Sequence, residues 1–93
     1  MQIWKYPLEI RDEQSIKMPG TSAILAVQVQ NGTPCLWVMV DPRNPGRFRK
    51  IAIYGTGHEM SQSPYNYIGT FQVANGSLVF HVFDLGERME AGK

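Results

Sequence analysis

The chain has 93 residues, of which 43% are hydrophobic and 18% charged. This length supports one domain around one core and excludes multidomain enzymes and repeat arrays. Nine Lys and Arg against eight Asp and Glu give a formal net charge of +1, without the basic excess a general DNA binder uses to displace counterions.

The N-terminal segment Met1 to Pro7 lacks the apolar h-region of a secretory signal. No run approaches the ~20 apolar residues of a membrane helix, so a soluble, unprocessed chain with no membrane partner is expected. The single cysteine, Cys35, excludes an internal disulfide framework and a multi-cysteine zinc site and fits a reducing compartment.

Helical periodicity is absent. Short apolar runs interrupted by Pro, Gly and Asn recur about every 8–12 residues, the pattern of an all-β sandwich or barrel. The runs are Ile3 to Tyr6, Ser15 to Met18, Ala23 to Gln30, Thr33 to Val40, Arg47 to Tyr54, Tyr67 to Ala74 and Ser77 to Leu85. Pro7, Pro19-Gly20, Asp41-Pro42, Asn44-Pro45-Gly46 and Ser63-Pro64 fall between them, where a missing amide donor does a ladder no harm. The expected fold is a small antiparallel β-sandwich or partly open barrel of about seven short strands. It spans residues 1–85, with residues 86–93 as a flexible tail.

Asn31-Gly32 and Asn75-Gly76 each sit between apolar runs and suit the positive φ angles of a type I′ hairpin turn. Counting outward from the first turn pairs Val27 with Leu36 and Leu25 with Val38 on one face, and Ala26 with Trp37 and Ile24 with Met39 on the other. From the second turn, Val73 meets Leu78 and Phe71 meets Phe80, while Thr70 meets His81 and Ile68 meets Phe83. A sheet apolar on both faces needs a second layer or an external partner. Trp37 and Met39 are the candidate subunit interface of a homo-oligomer, unless the N-terminal segment with Trp4 and Tyr6 covers them.

Catalytic constellations are absent. His58 and His81 are far apart in the chain, neither a His-x-Glu-x-x-His nor a Gly-x-Ser-x-Gly arrangement occurs, and adjacent His58 and Glu59 point to opposite sides of an extended chain. No enzyme, no cofactor and no metal site is expected. The most informative segment is Tyr54-Gly55-Thr56-Gly57-His58, where two glycines let backbone amides approach a ligand in the manner of an anion nest. Arg47, Arg49 and Lys50 precede it and Tyr65 and Tyr67 follow. Cations and amides for phosphates, with tyrosines to stack on a base, make Arg47, Arg49, Thr56, His58, Tyr65 and Tyr67 a candidate nucleotide site. A solvated strand face for Arg47, Arg49 and Lys50 and half-buried core for Tyr54 and Tyr67 are the plainer alternatives, whereas Tyr65, in a turn beside Pro64, fits a core less well.

The strings Ile3-Trp4-Lys5-Tyr6-Pro7-Leu8, Val27 to Trp37, Ile53-Tyr54-Gly55-Thr56-Gly57-His58 and Tyr67-Ile68-Gly69-Thr70-Phe71-Gln72 resemble a family of small uncharacterised tailed-phage and prophage proteins. The likeness runs from Ile3 to Phe83. It implies a viral protein in the cytoplasm of an infected bacterium, and supplies no site residues. Together with the expected oligomer and the Arg/Gly/Tyr segment, it suggests a sponge that sequesters a cyclic nucleotide immune messenger of the CBASS type without cleaving it. A protein–protein module, as host-factor inhibitor or virion or assembly component, is the alternative. A single-stranded nucleic-acid binder is a weaker one.

Overall fold

The computed structural model describes residues 1–61 and 66–90. Seven strands form in chain order: β1 (Gln2–Pro7), β2 (Glu13–Pro19), β3 (Ala23–Gln30), β4 (Thr33–Val40), β5 (Gly46–Gly55), β6 (Asn66–Val73) and β7 (Leu78–Arg88). No helix occurs among the described residues. The strands make two antiparallel sheets, a three-stranded one in the order β1-β4-β3 and a four-stranded one in the order β2-β5-β7-β6. They pack as an open sandwich, as the apolar alternation predicts.

The core lies between the sheets, because alternate residues of each strand face the same way. Leu36, Val38 and Val40 of β4 meet Ile51 and Ile53 of β5, Phe71 of β6 and Val82 of β7, with Leu8, Met18 and Val27 completing the cluster. The Phe71 and Phe80 rings stack across the second hairpin at 5.5 Å. β3 and β6 touch at one side of the sandwich, where a side chain on Gly69 would stand 2.8 Å from Val27 Cγ1. Glycine there lets the two sheets approach.

Both hairpins form where expected. Asn31 and Gly32 take φ of 51° and 81°, and Asn75 and Gly76 take 56° and 85°, so both positions of each turn are left-handed as type I′ requires. Close to the turns the pairing follows the sequence reading: Val27 with Leu36, Ala26 with Trp37, Phe71 with Phe80 and Thr70 with His81. Farther out it does not. A bulge at Leu25 pairs Ile24 with Val38 and Ala23 with Met39, and a bulge at Ile68 places Tyr67, not Ile68, opposite Phe83. Bulges bend and twist a strand, and these two lie on β3 and β6, the strands that meet where the sandwich closes.

A third irregularity extends the last strand. Lys50 pairs with Gly86 and Ile51 with Asp84, leaving Leu85 unmatched, and β7 continues to Arg88 opposite Phe48. Gly86 has φ +97°, a conformation glycine adopts freely. Residues 86–88, expected in a flexible tail, are therefore strand.

The N-terminal segment does not cover the Trp37/Met39 face. It lies in plane beside β4, with Trp4 opposite Val38 and Tyr6 opposite Leu36, so both aromatic side chains turn toward the inner side. Burial against the core raises the pKa of the Tyr6 phenol above its ordinary value. Ile3 pairs with Met39 and Lys5 with Trp37, and they face outward together with Ala23 and Ala26. Ile3 is 63% exposed and Met39 36%; no described strand lies across them.

Candidate functional site

The candidate nucleotide residues separate into two groups at opposite ends of β5. Arg47 and Thr56 are about 30 Å apart along the strand at its usual rise. At the first end, Arg49 and Lys50 are engaged by acids from distant parts of the chain. Arg49 makes a two-pronged ion pair with Asp84, Nε to Oδ1 at 2.9 Å and Nη2 to Oδ2 at 3.0 Å, and its Nη1 donates to Ser22 O at 2.8 Å. Both side chains are largely buried, at 14% and 10% exposure. Lys50, also buried, pairs with Glu13 at 3.2 Å. Arg43 clasps Asp41 through Nε, Nη2 and its backbone amide, which holds the Asp41 carboxyl below its usual range and raises the Arg43 guanidinium. Arg47 donates Nη1 to Gly46 O and borders a cavity beside Glu87. These side chains neither reach Thr56 nor line up as a cationic track.

At the second end, Thr56 and Tyr67 come together through His81 and Thr70, while His58 lies over Gly55, whose pairing with Phe80 turns it to the other side of the sheet. His58 N donates to Gly55 O at 3.0 Å, closing a β-turn with Gly57 at φ +85°, the position where a type II turn calls for glycine. The His58 ring lies on the Gly55 backbone so closely that a Cβ there would stand 2.7 Å from it. Thr56 N is bound to Val79 O at 3.1 Å. With the Thr56 and His58 amides committed, the segment is a turn and not the anion nest that its glycine spacing suggests. Beside it, Gly55, Thr56, His58 and residues Ser77 to Phe80 line a cleft of about 150 Å³.

His81 ties this group together. Its Nε2 lies 2.7 Å from Thr56 Oγ1 and its Nδ1 2.9 Å from Thr70 Oγ1, and Thr70 Oγ1 is in turn hydrogen-bonded to the Tyr67 hydroxyl. A neutral imidazole has one donor and one acceptor nitrogen, so the two threonines play opposite parts and the chain of hydroxyls has a direction. The bulge at Ile68 makes the chain possible: without it, Tyr67 and Thr70, three residues apart, would face opposite sides. Tyr67 is 60% exposed and its ring tilts against Phe83 at 5.6 Å. Phe83 also contacts Tyr54, which is buried with Ala52 and Leu85, so Tyr54 is packing. Tyr65 lies outside the described residues.

Thr70 and His81 were missing from the sequence-based site although the second hairpin register already set them opposite each other. What the sequence lacked was the side on which Thr56 and Tyr67 would join them. Among the described residues no group of three or more His, Cys, Asp or Glu could hold a metal ion. Asp84 is bound to Arg49.

Residues 1–92 match the model of a domain of unknown function, DUF7352. The chain belongs to this family. No curated protein and no solved structure matches it.

Proposed function

We propose that the protein captures a nucleotide-type ligand without turning it over, on the surface formed by Thr56, Thr70, Tyr67 and His81. The observation that carries this reading is the hydrogen-bonded chain from Thr56 through His81 and Thr70 to the exposed Tyr67 ring. It offers a stacking face for a base beside hydroxyl and imidazole groups suited to a ribose or base edge. Binding without cleavage is supported by the committed amides of Thr56 and His58, two donors that are therefore not turned toward a developing oxyanion. Arg49 drops out of the site and Arg47 is remote, so recognition leans on the base and sugar more than on phosphate. In the phage setting suggested by the sequence resemblance, the ligand class is a cyclic nucleotide immune messenger. Sequestration in the cytoplasm of an infected bacterium would then counter antiphage signalling.

The test is incubation with a mixed cyclic di- and trinucleotide library, followed by size-exclusion chromatography and mass analysis of what co-elutes. An intact nucleotide is expected with the protein, and Tyr67→Ala and His81→Ala each weaken binding by about tenfold or more, as loss of one stacking or hydrogen-bonding partner does. Co-elution of none of the library sinks the proposal.

The outer face of the three-stranded sheet favours a second reading, a protein–protein module whose occupant is a second copy of this chain. Its one charged residue, Lys5, has its ammonium tied to Gln30 at 2.7 Å, and two copies would oppose Ile3, Trp37 and Met39 across an isologous contact with Lys5 held to one side. The same chromatography reads this directly. A dimer that Ile3→Glu converts to monomer supports the module, and a wild-type monomer at high concentration removes it.

A further inference from the structure

A larger cleft lies elsewhere, at the edge where β1 hands over to β2. It measures about 550 Å³ and is lined by Pro7, Glu9, Arg11, Glu13, Gln14, Ser15 and Lys50, within the size range of small-molecule sites. Its wall is fixed from both sides. Gln14 grips the loop by accepting from Glu9 N at 3.1 Å and donating to Glu9 O at 2.7 Å, while Leu8 N donates to Pro34 O and Ile53 N to Asp12 O.

The charges are balanced and layered. Lys50 and Glu13 are paired at 3.2 Å with Lys50 only 9% exposed, whereas Glu9 and Arg11 pair at the same distance with 76% and 62% exposure. The inner pair holds its charges in place where solvent screens them least. The outer pair is solvated, contributes little and opens at small cost. A lone anion would meet the carboxylates and a lone cation the guanidinium and ammonium; a molecule carrying both signs matches the set.

We propose that this cleft binds a small zwitterion, an α-amino acid or the two termini of a short peptide. Its carboxylate sits between Arg11 and Lys50, and its ammonium faces Glu9 and Glu13. The site shares no residue with the proposed nucleotide surface and stands or falls independently of it.

Isothermal titration calorimetry with glycine, L-alanine, L-glutamate, L-lysine and glycylglycine, against ethylamine and acetate as single-charge controls, tests this. At least one zwitterion is expected to bind saturably at millimolar concentration or below while both controls stay silent. Arg11→Gln and Glu9→Gln, solvent-facing changes whose folding is checked by thermal melts, should each weaken it about tenfold, the loss of one charge-assisted contact. No saturable binding by any zwitterion, equal binding of either control, or unchanged binding in both variants overturns the proposal.

Discussion

Asp84→Ala lowers the stability of this protein by about 3–5 kcal/mol, the usual consequence of removing one partner from a buried ion pair. Three connections fail together. Arg49, at 14% exposure, keeps its charge without its carboxylate. The Gly86 amide loses the acceptor it finds in Asp84 Oδ1 at 2.8 Å. The guanidinium that also reaches Ser22 O no longer anchors the crossover between β2 and β3 to the four-stranded sheet. For a domain of this length each kcal/mol moves the melting temperature by about 4–8 °C, so calorimetry should record a fall of more than about 12 °C. The double variant Arg49→Met/Asp84→Leu recovers the part due to the stranded charge, because an apolar pair leaves none, while the Gly86 and Ser22 contacts stay lost. A fall of under about 2 °C for Asp84→Ala would show that the pair does not hold the strands. The double variant also keeps any nucleotide affinity, since Arg49 lies at the far end of β5 from His81.

Leu36→Ala is the second large effect, at about 2–5 kcal/mol. Leu36 has no solvent exposure and sits between Tyr6 and Val27 in the central strand of its sheet. Truncation removes buried methyl groups and leaves a void that the opposing β5 and β7 side chains cannot close. Ile3→Ala, on the outer face at 63% exposure, should cost no more than about 0.5 kcal/mol. Urea unfolding of the two variants measures the contrast. A reduced midpoint with an unchanged slope is expected for Leu36→Ala, and equal losses from both would refute the assignment of inner and outer faces.

The hairpins were legible because their information is local. Asn-Gly sets the turn, the turn sets the register, and the period of two assigns each side chain a face. That reasoning holds from Gln30 back to Ala26 and from Val73 back to Gly69, and ends at each bulge. Nothing beside Leu25 in the chain marks its bulge and only Gly69 hints at the one at Ile68, because the irregularities sit where β3 and β6 come together across the sandwich, a meeting of distant segments. The candidate site suffered in proportion. Tyr67 belongs with Thr70 and His81 only because of the bulge that a strict count omits.

The sequence by itself determined an all-β domain, its hairpins and its apolar alternation, since these depend on turn chemistry and on neighbours one or two residues away. It also showed a small, nearly neutral chain with Arg43, Arg47, Arg49 and Lys50 in a stretch free of acids. Only the tertiary structure decided what those cations do. Asp84 and Glu13 arrive from β7 and β2 to bind Arg49 and Lys50, and Asp41 folds back on Arg43. A charge near the interior is stable only with a partner, and its partner is chosen by which strands the sheet sets side by side. For Arg49 and Lys50 distance along the chain has no part in that choice, whereas Arg43 finds Asp41 two residues away.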